Sequence, residues 1–218
     1  AITTHSLTTN PLRKFSYWDN EKTVEMVNKL SDEHAILKQK LLFTSLDSIR
    51  YNINRKQKNL KFFEFDKAYS LEEKEYKESS KIGIYITGLK QEEHFVNKPE
   101  NVSFFDVINI TNKVLNIARI SDFETKPKAD SKTLDMCVEI ISNGVVLGEI
   151  GMVKKEILKT FEISQDVYHA EIDWPNLIMN FDKEFKFSEI PKFPQVQRDL
   201  SLVMNKDVKY NDVISVID

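Results

Sequence analysis

The stretch at residues 134–150, LDMCVEIISNGVVLGEI, predicts two antiparallel strands joined by a tight turn. Its two halves, Leu134 to Ile141 and Val145 to Ile150, are rich in aliphatic and β-branched residues. Asn143-Gly144 between them favours a two-residue turn, because such a turn needs positive φ at both residues. Short turns of this kind join antiparallel strands, so we expect an antiparallel sheet.

A second hairpin is predicted upstream. Leu60 to Tyr69 is rich in aromatic residues, and Lys81 to Thr87 alternates between apolar and other side chains. The charged residues 71–78 between them are interpreted as a solvated hairpin loop. Further along the chain, Val167 to Ile172 is predicted as a strand and Lys126 to Asp130 as a loop.

Several segments have the apolar spacing of helices. After a predicted N-cap at Ser31, apolar residues recur at helical spacing to about Arg55. These residues are Leu37, Leu41, Leu42, Leu46, Ile49 and Ile53. Phe104 to Ile120 predicts a second helix, and Glu156 to Phe161 and the segment from Trp174 predict two short ones. The fold class is therefore α+β, an antiparallel sheet flanked by helices, with the helices expected on one face.

The chain is expected to contain one domain and the beginning of another. Phe193-Pro194 indicates a boundary, so we place the first domain at residues 1–190 and the second unit at 191–218. Asp199 to Met204 is predicted to be a strand of that second unit.

Composition excludes several classes of protein. The net charge of the 218 residues is -3, which argues against a basic nucleic-acid binder. The one cysteine, Cys137, excludes a disulfide framework and is expected to be a buried thiol in a reducing compartment. No apolar run approaches the roughly twenty residues of a spanning helix, so we expect a cytoplasmic protein with no membrane contact.

No catalytic, cofactor-binding or metal-binding residues are predicted within this chain. The five glycines form neither of the common glycine-rich phosphate loops, and no two of the four histidines have metal-ligand spacing on a helix. Glu171 and Asp173 share a strand face but are expected to be solvated, and His169 is expected on a sheet face or at the surface. Gly148 and Gly151 predict a bulge or a close approach between backbones.

A cluster of basic residues follows the first long helix: Arg50, Arg55, Lys56 and Lys58. Cations at a helix C-terminus interact favourably with the helix dipole, which is the simpler explanation. Contact with RNA phosphates is the alternative, and it would also include Arg198.

Five segments in order resemble the β subunit of bacterial phenylalanyl-tRNA synthetase. They are residues 28–55 with NKLS, LLF and NINR, residues 60–65 (LKFFEF), residues 145–161, residues 167–177 (VYHAEIDWPNL) and residues 193–200 (FPQVQRDL). The last is similar to the opening of the ferredoxin-like anticodon-binding domain of that subunit. Three positions depart from the family pattern: Lys29 stands where proline is usual, Lys38 where arginine is frequent, and Asp66 where glycine is usual.

The resemblance implies a module with the fold of a class II synthetase catalytic domain but without its motifs. Class II catalysis needs arginines that hold ATP beside a glycine-rich strand, and none of the five arginines has that context. The resemblance further implies an α2β2 ligase in which the α subunit uses ATP and magnesium to charge tRNA with phenylalanine. The isolated chain is expected to be inactive.

The predicted role of the chain is assembly with the α subunit. By resemblance, the interface residues are Leu41, Leu42, Leu46, Ile49, Ile53, Asn54 and Arg55, with part of the apolar stripe exposed. Two alternatives remain at this point. The chain could bind tRNA directly, or it could be a stand-alone small-molecule enzyme with a degenerate site.

Overall fold

The computed structural model describes residues 1–29, 31–91, 99–181, 196, 198–205, 208, 213 and 216. The chain divides into two compact units, Ala1–Lys183 and Glu184–Asp218. The predicted boundary at residues 190 and 191, including Phe193-Pro194, lies outside the described residues and stays a prediction.

The first unit contains eight strands and four α-helices among its described residues. The strands are β1 (Leu7–Thr8), β2 (Ile36–Leu37), β3 (Leu60–Glu72), β4 (Glu75–Thr87), β5 (Glu124–Pro127), β6 (Leu134–Ser142), β7 (Val145–Val153) and β8 (Val167–Asp173). The helices are α1 (Leu41–Ile53), α2 (Phe104–Ile117), α3 (Lys155–Thr160) and α4 (Trp174–Met179). Short 3-10 turns lie at Asn10–Lys14 and Asp32–His34.

Six strands form one antiparallel sheet in the order β3-β4-β8-β7-β6-β5, which confirms the α+β prediction. β1 and β2 form a separate antiparallel pair. Asn143 and Gly144 both have positive φ, as the predicted turn requires. Gly148 lies where a Cβ atom would be 2.4 Å from the carbonyl oxygen of Glu171, which confirms a close approach between backbones.

Helices pack on both faces of the sheet, so the prediction of a single covered face is wrong. One face packs against α1, α3 and the N-terminal segment, with a core that includes Leu46, Tyr85 and Leu158. The other packs against α2 and α4, with a core that includes Ile84 and Leu115. Alternate residues of β4 face opposite sides of the sheet, so a central strand with apolar residues on both faces supplies two cores.

Some predicted boundaries are wrong. Residues 71–78 are mostly strand, because Glu73 and Lys74 adopt positive φ and close a two-residue turn without glycine. The loop predicted at Lys126 is partly the edge strand β5. Leu37 lies in β2, and α1 begins only at Leu41.

In the second unit, residues 198–205 are exposed and form no strand, so the strand predicted at Asp199 to Met204 is wrong. A strand needs a neighbour to receive its backbone hydrogen bonds, and no described residue pairs with this segment.

Within the described residues, no helix is long and apolar enough to cross a membrane.

Candidate functional site

The sheet face under α1 carries a group of buried ionisable side chains. Lys38 is fully buried, and its Nζ donates to Thr4 Oγ1 and to Asp66 Oδ2, each at 2.8 Å. Glu64, also buried, lies 3.5 Å from Lys38 Nζ and accepts a hydrogen bond from Ser45 Oγ of α1 at 2.8 Å. The group therefore joins the N-terminal segment, α1 and β3 through one buried cation.

Two of the expected departures from the family pattern meet in this group. Lys38, where the resemblance leads us to expect arginine, forms a direct ion pair with Asp66, where it leads us to expect glycine. A lysine supplies fewer donors than an arginine, and the added carboxylate of Asp66 gives it a second acidic partner beside Glu64. The third departure, Lys29, is exposed and forms an ion pair with Asp32 at 3.0 Å.

A second group lies at the other end of this face. Glu149 of β7 accepts from Lys40 Nζ at 2.5 Å and from Lys128 Nζ at 3.3 Å. Lys128 also forms an ion pair with Glu139 at 2.9 Å. These residues border a surface cavity of about 390 Å³ that is lined by four lysines and four carboxylates, together with Tyr17, Phe43 and small polar residues.

The charges of this second group are stabilised by one another. Burial raises the pKa of Glu149, but Lys40 and Lys128 outweigh it, so the pKa lies below its usual value. Burial likewise opposes the charge of Lys40, and Glu149 and Glu171 raise its pKa above the usual value. All three side chains are therefore ionised and paired at neutral pH.

Cys137 lies beside this group but is not an activated nucleophile. Its Sγ is 4.0 Å from Glu149 Oε2. Burial and the negative charge of Glu149 raise the pKa of the thiol to about 11. Because the thiolate is the nucleophilic form, this cysteine is unreactive at neutral pH. The described residues contain no cluster of three or more side chains suited to a metal ion.

Between the two groups, β8 presents His169 and Glu171 to the same face. Glu171 Oε2 accepts from the backbone N–H of Leu41 at 3.2 Å, which places a carboxylate at the N-terminus of α1. Glu171 is largely buried, so the prediction of a solvated side chain is wrong for it. Asp173 is half-buried and caps α4 through the N–H of Asn176 at 2.9 Å.

His169 is buried on a sheet face. This position agrees with the first of its two predicted locations, a sheet face or the surface. Its Nδ1 is 3.1 Å from the carbonyl oxygen of Ile84, which acts as acceptor for an Nδ1–H donor. Burial lowers the pKa of His169, so the ring is neutral. Tyr85 stacks on this ring with centroids 4.7 Å apart. Among the described residues, neither Tyr85 Oη nor His169 Nε2 has a hydrogen-bond partner.

The described residues that line the cavity carry their charges on lysines and carboxylates. No arginine is among the described residues that line the cavity. Arg13 is paired with Glu25, Arg50 with Asp47 and Glu162, and Arg55 lies over the ring of Tyr51. Lys38, Lys40 and Lys128 are each paired with carboxylates of the described residues.

The apolar stripe of α1 is core, and the prediction that part of it is exposed is wrong for four residues. Leu41, Leu42, Leu46 and Ile49 are completely buried within this chain. Leu42, Leu46 and Ile49 belong to the core between the sheet and the N-terminal segment. In that segment, Tyr17 stacks on Phe43 of α1, and Trp18 packs against the same ring at a tilt. The sequence pattern could not show this second layer, because it comes from a segment without helical or strand periodicity.

The end of α1 retains an accessible surface. Ile53 is half-buried, and Asn54 and Arg55 are exposed. Tyr51, which sequence reasoning did not select, is 57% exposed. Arg55 donates to the carbonyl oxygen of Tyr51 at 3.1 Å, which agrees with the helix-dipole explanation of this basic residue.

The predicted RNA-contact residues are only partly brought together. Arg50, Arg55, Lys56 and Lys58 lie near the end of α1, with Lys56 and Lys58 exposed. Arg50 is held by two carboxylates and is less available for a phosphate. Arg198 belongs to the second unit and is exposed. Contact of these residues with RNA stays a prediction.

Sequence reasoning missed the ionic groups on the sheet face. Lys38 is far along the chain from its partner Glu64, and Lys40 is farther still from Glu149, so both pairings depend on the topology. The one available signal was a single carboxylate inside an otherwise apolar strand, as with Glu149 between Gly148 and Ile150.

Comparison with known proteins agrees with this geometry. Residues 2–174 match the family model of the phenylalanyl tRNA synthetase beta chain CLM domain. The chain is 30% identical to the phenylalanine–tRNA ligase beta subunit of Porphyromonas gingivalis, over 95% of this chain and 28% of that protein. It is 29% identical to the corresponding subunit of Bacillus subtilis, over 98% of this chain and 27% of that protein. The chain thus spans little more than a quarter of these relatives.

Solved structures show the same fold. The pyrrolysyl-tRNA synthetase of Desulfitobacterium hafniense superposes with a TM-score of 0.62 at 16% identity, covering 82% of this chain and 61% of that one. A second structure of that enzyme gives a TM-score of 0.61 at 17% identity. The sheet and helices are therefore those of a class II synthetase catalytic fold. Because the family model matches residues 2–174, this chain belongs to the family of phenylalanyl tRNA synthetase beta chain CLM domains.

Proposed function

We propose that this chain is a non-catalytic assembly module of a phenylalanine–tRNA ligase, which pairs with a catalytic α subunit in an α2β2 enzyme. The observation that carries the proposal is the occupied sheet face. Its cations, Lys38, Lys40 and Lys128, are each bound to carboxylates of the same chain. A face whose charges are satisfied internally favours a structural role over nucleotide binding.

ATP and magnesium belong, in this proposal, to the α subunit. Holding the ATP phosphates in a class II site requires arginines, and none of the described residues lining the cavity is an arginine. Glu149, one of the carboxylates in that lining, is engaged by two lysines, which makes it a poor ligand for magnesium. The stand-alone enzyme is the less favoured alternative for the same reason.

The accessible end of α1 is the proposed contact with the α subunit. Because Leu41, Leu42, Leu46 and Ile49 are core, their part is to hold the helix rather than to touch a partner. The residues proposed to touch the α subunit are therefore Ile53, Asn54 and Arg55, together with the exposed ring of Tyr51. Aromatic and arginine side chains are enriched among the residues that dominate binding energy in protein interfaces.

Two measurements test this function. The purified chain is assayed for ATP–pyrophosphate exchange with phenylalanine, and we expect no activity above a protein-free control. Exchange that persists in preparations free of the host synthetase would contradict the non-catalytic role.

For the interface, Tyr51→Asp is compared with Tyr76→Asp in co-sedimentation with the cognate α subunit. Tyr76 is 77% exposed at the far end of the β3–β4 hairpin and serves as the matched control. Loss of the complex with Tyr51→Asp alone is expected. Equal complex formation by both variants would place the contact elsewhere.

A further inference from the structure

The outer face of the edge strand β3 carries an exposed pair of aromatic rings. Phe63 and Phe65 are 54% and 56% exposed, although both lie within a six-stranded sheet. They point to the face of the sheet opposite α1, since the intervening Glu64 is buried beneath that helix. Exposed rings do not contribute the stabilisation that buried rings give to the fold. A pair of them on a regular strand therefore indicates a surface that binds another molecule.

Basic residues flank these rings on the same face. Lys61 and Lys67 are exposed and lie two residues before Phe63 and two residues after Phe65. Side chains alternate along a strand, so the four share one side in the order Lys, Phe, Phe, Lys. Lys61 Nζ donates only to the carbonyl oxygen of Lys90 and pairs with no carboxylate of the described residues. Lys67 is partly neutralised by Glu78 at 2.7 Å.

The surroundings of the rings are suited to stacking. The cross-strand neighbours of Phe63 and Phe65 are Ile84 and Ile82, which give the rings an apolar base. Trp174 meets Phe65 edge to face, with centroids 5.0 Å apart, which fixes that ring. Acidic side chains nearby are already engaged: Asp173 is bound by Lys81 at 2.8 Å.

We propose that this face binds unpaired RNA, with a base on each of the two phenylalanine rings and the phosphates beside Lys61 and Lys67. RNA-binding sheets commonly present a basic residue followed by aromatics at alternate positions, the arrangement found at Lys61, Phe63 and Phe65. At roughly 3.3 Å per residue the two rings are about 7 Å apart, which gives each room for its own base. Double-stranded RNA keeps its bases stacked inside the helix and offers none to these rings.

This inference goes beyond the assembly role and does not depend on it. It also differs from the predicted RNA contact at the end of α1. That cluster has cations and one exposed ring, Tyr51, and Arg55 already stacks on one face of it, whereas the β3 face has two exposed rings.

The test is fluorescence anisotropy of a labelled single-stranded RNA of about eight nucleotides, titrated with the full chain. We expect saturable binding, weakened roughly fivefold or more by Phe63→Leu and again by Phe65→Leu, because base stacking on an aromatic ring is lost while apolar area is kept. Lys61→Ala should lower the slope of log affinity against log salt by about 0.7, the value for one phosphate of a single strand.

Controls separate the face from the rest of the chain. Tyr76→Leu removes a distant exposed ring and should leave binding unchanged, and a duplex of the same sequence should bind more weakly. Circular dichroism of each variant verifies the fold. Absence of saturable binding to the single strand, or equal loss from Tyr76→Leu and Phe63→Leu, would overturn the proposal. Normal RNA binding by the two phenylalanine variants with loss of the α-subunit complex would show a protein interface instead.

Discussion

Removing the buried cation Lys38 should destabilise the first unit more than removing any exposed lysine. Lys38→Met keeps the length and apolar character of the side chain but leaves Glu64 and Asp66 without their cation. The two ion pairs, at 3.5 and 2.8 Å, correspond to attractions of about 5 and 6 kcal/mol at an effective dielectric constant of about 20. Much of this attraction offsets the cost of taking the charges out of water.

The net loss is that of a buried pair with one partner removed, about 3–5 kcal/mol. A domain of this size has a total stability of about 5–15 kcal/mol, so Lys38→Met should remove a large part of it. At about 2–4 °C per kcal/mol, the midpoint of thermal unfolding should fall by roughly 6–20 °C.

Chemical denaturation and thermal scans of the chain at pH 7 measure this effect. Lys77→Met is the matched control, since Lys77 forms an exposed ion pair with Glu75 at 2.8 Å, and such pairs contribute about 0–1 kcal/mol. The double variant Lys38→Met/Asp66→Gly should recover part of the loss, because it removes one of the stranded carboxylates. Equal midpoints for Lys38→Met and Lys77→Met would refute the reasoning.

Three further outcomes are expected for β6 and β7. The pKa of Glu149 in the folded chain lies below its unfolded value of about 4.3, so its stabilisation is present above that pH and is lost as the pH falls through the folded pKa. Glu149→Gln should therefore reduce the pH dependence of the unfolding free energy between about pH 5 and 3, and an unchanged dependence would contradict the pairing with Lys40 and Lys128. Gly148→Ala should be more destabilising than Gly144→Ala in urea unfolding. Alanine at 144 costs only the strain of a positive φ, whereas the new Cβ at 148 would lie 2.4 Å from a carbonyl oxygen; the reverse order would argue against close packing of β7 beside β8. The Cys137 thiol, with a pKa of about 11, should not react with a disulfide reagent at pH 8 in the native protein but should react completely in denaturant. Rapid reaction of the native protein would show that the thiol is accessible and ionised.

The sheet was predictable where local patterns are sufficient. Asn143-Gly144 predicted its turn because few other residues tolerate positive φ at both positions, whereas the turn at Glu73-Lys74 has no such signal and was interpreted as a loop. The start of α1 was misplaced because Ser31 resembles an N-cap, while the actual first turn is held by Glu171, distant in sequence. That contact depends on the topology, so no local pattern could reveal it.

The ionic groups of the candidate site could not be located from sequence, because their partners are brought together only by the fold. The expectation that this chain holds no ATP site, based on missing glycine loops and arginine motifs, stays a prediction. Burial of Leu42, Leu46 and Ile49 under the N-terminal segment was equally hidden, since the covering residues Tyr17 and Trp18 lie in irregular structure. An apolar stripe alone does not distinguish a second core layer from a subunit interface.

We expect this chain to assemble with a catalytic α subunit and to perform no chemistry itself. Sedimentation velocity of the chain mixed with its cognate α subunit, followed by ATP–pyrophosphate exchange on the separated species, tests it most directly. We expect a faster-sedimenting complex that contains both chains, and exchange activity only in fractions that contain the α subunit. Two separately sedimenting proteins, or exchange activity in the fractions of this chain alone, would contradict it.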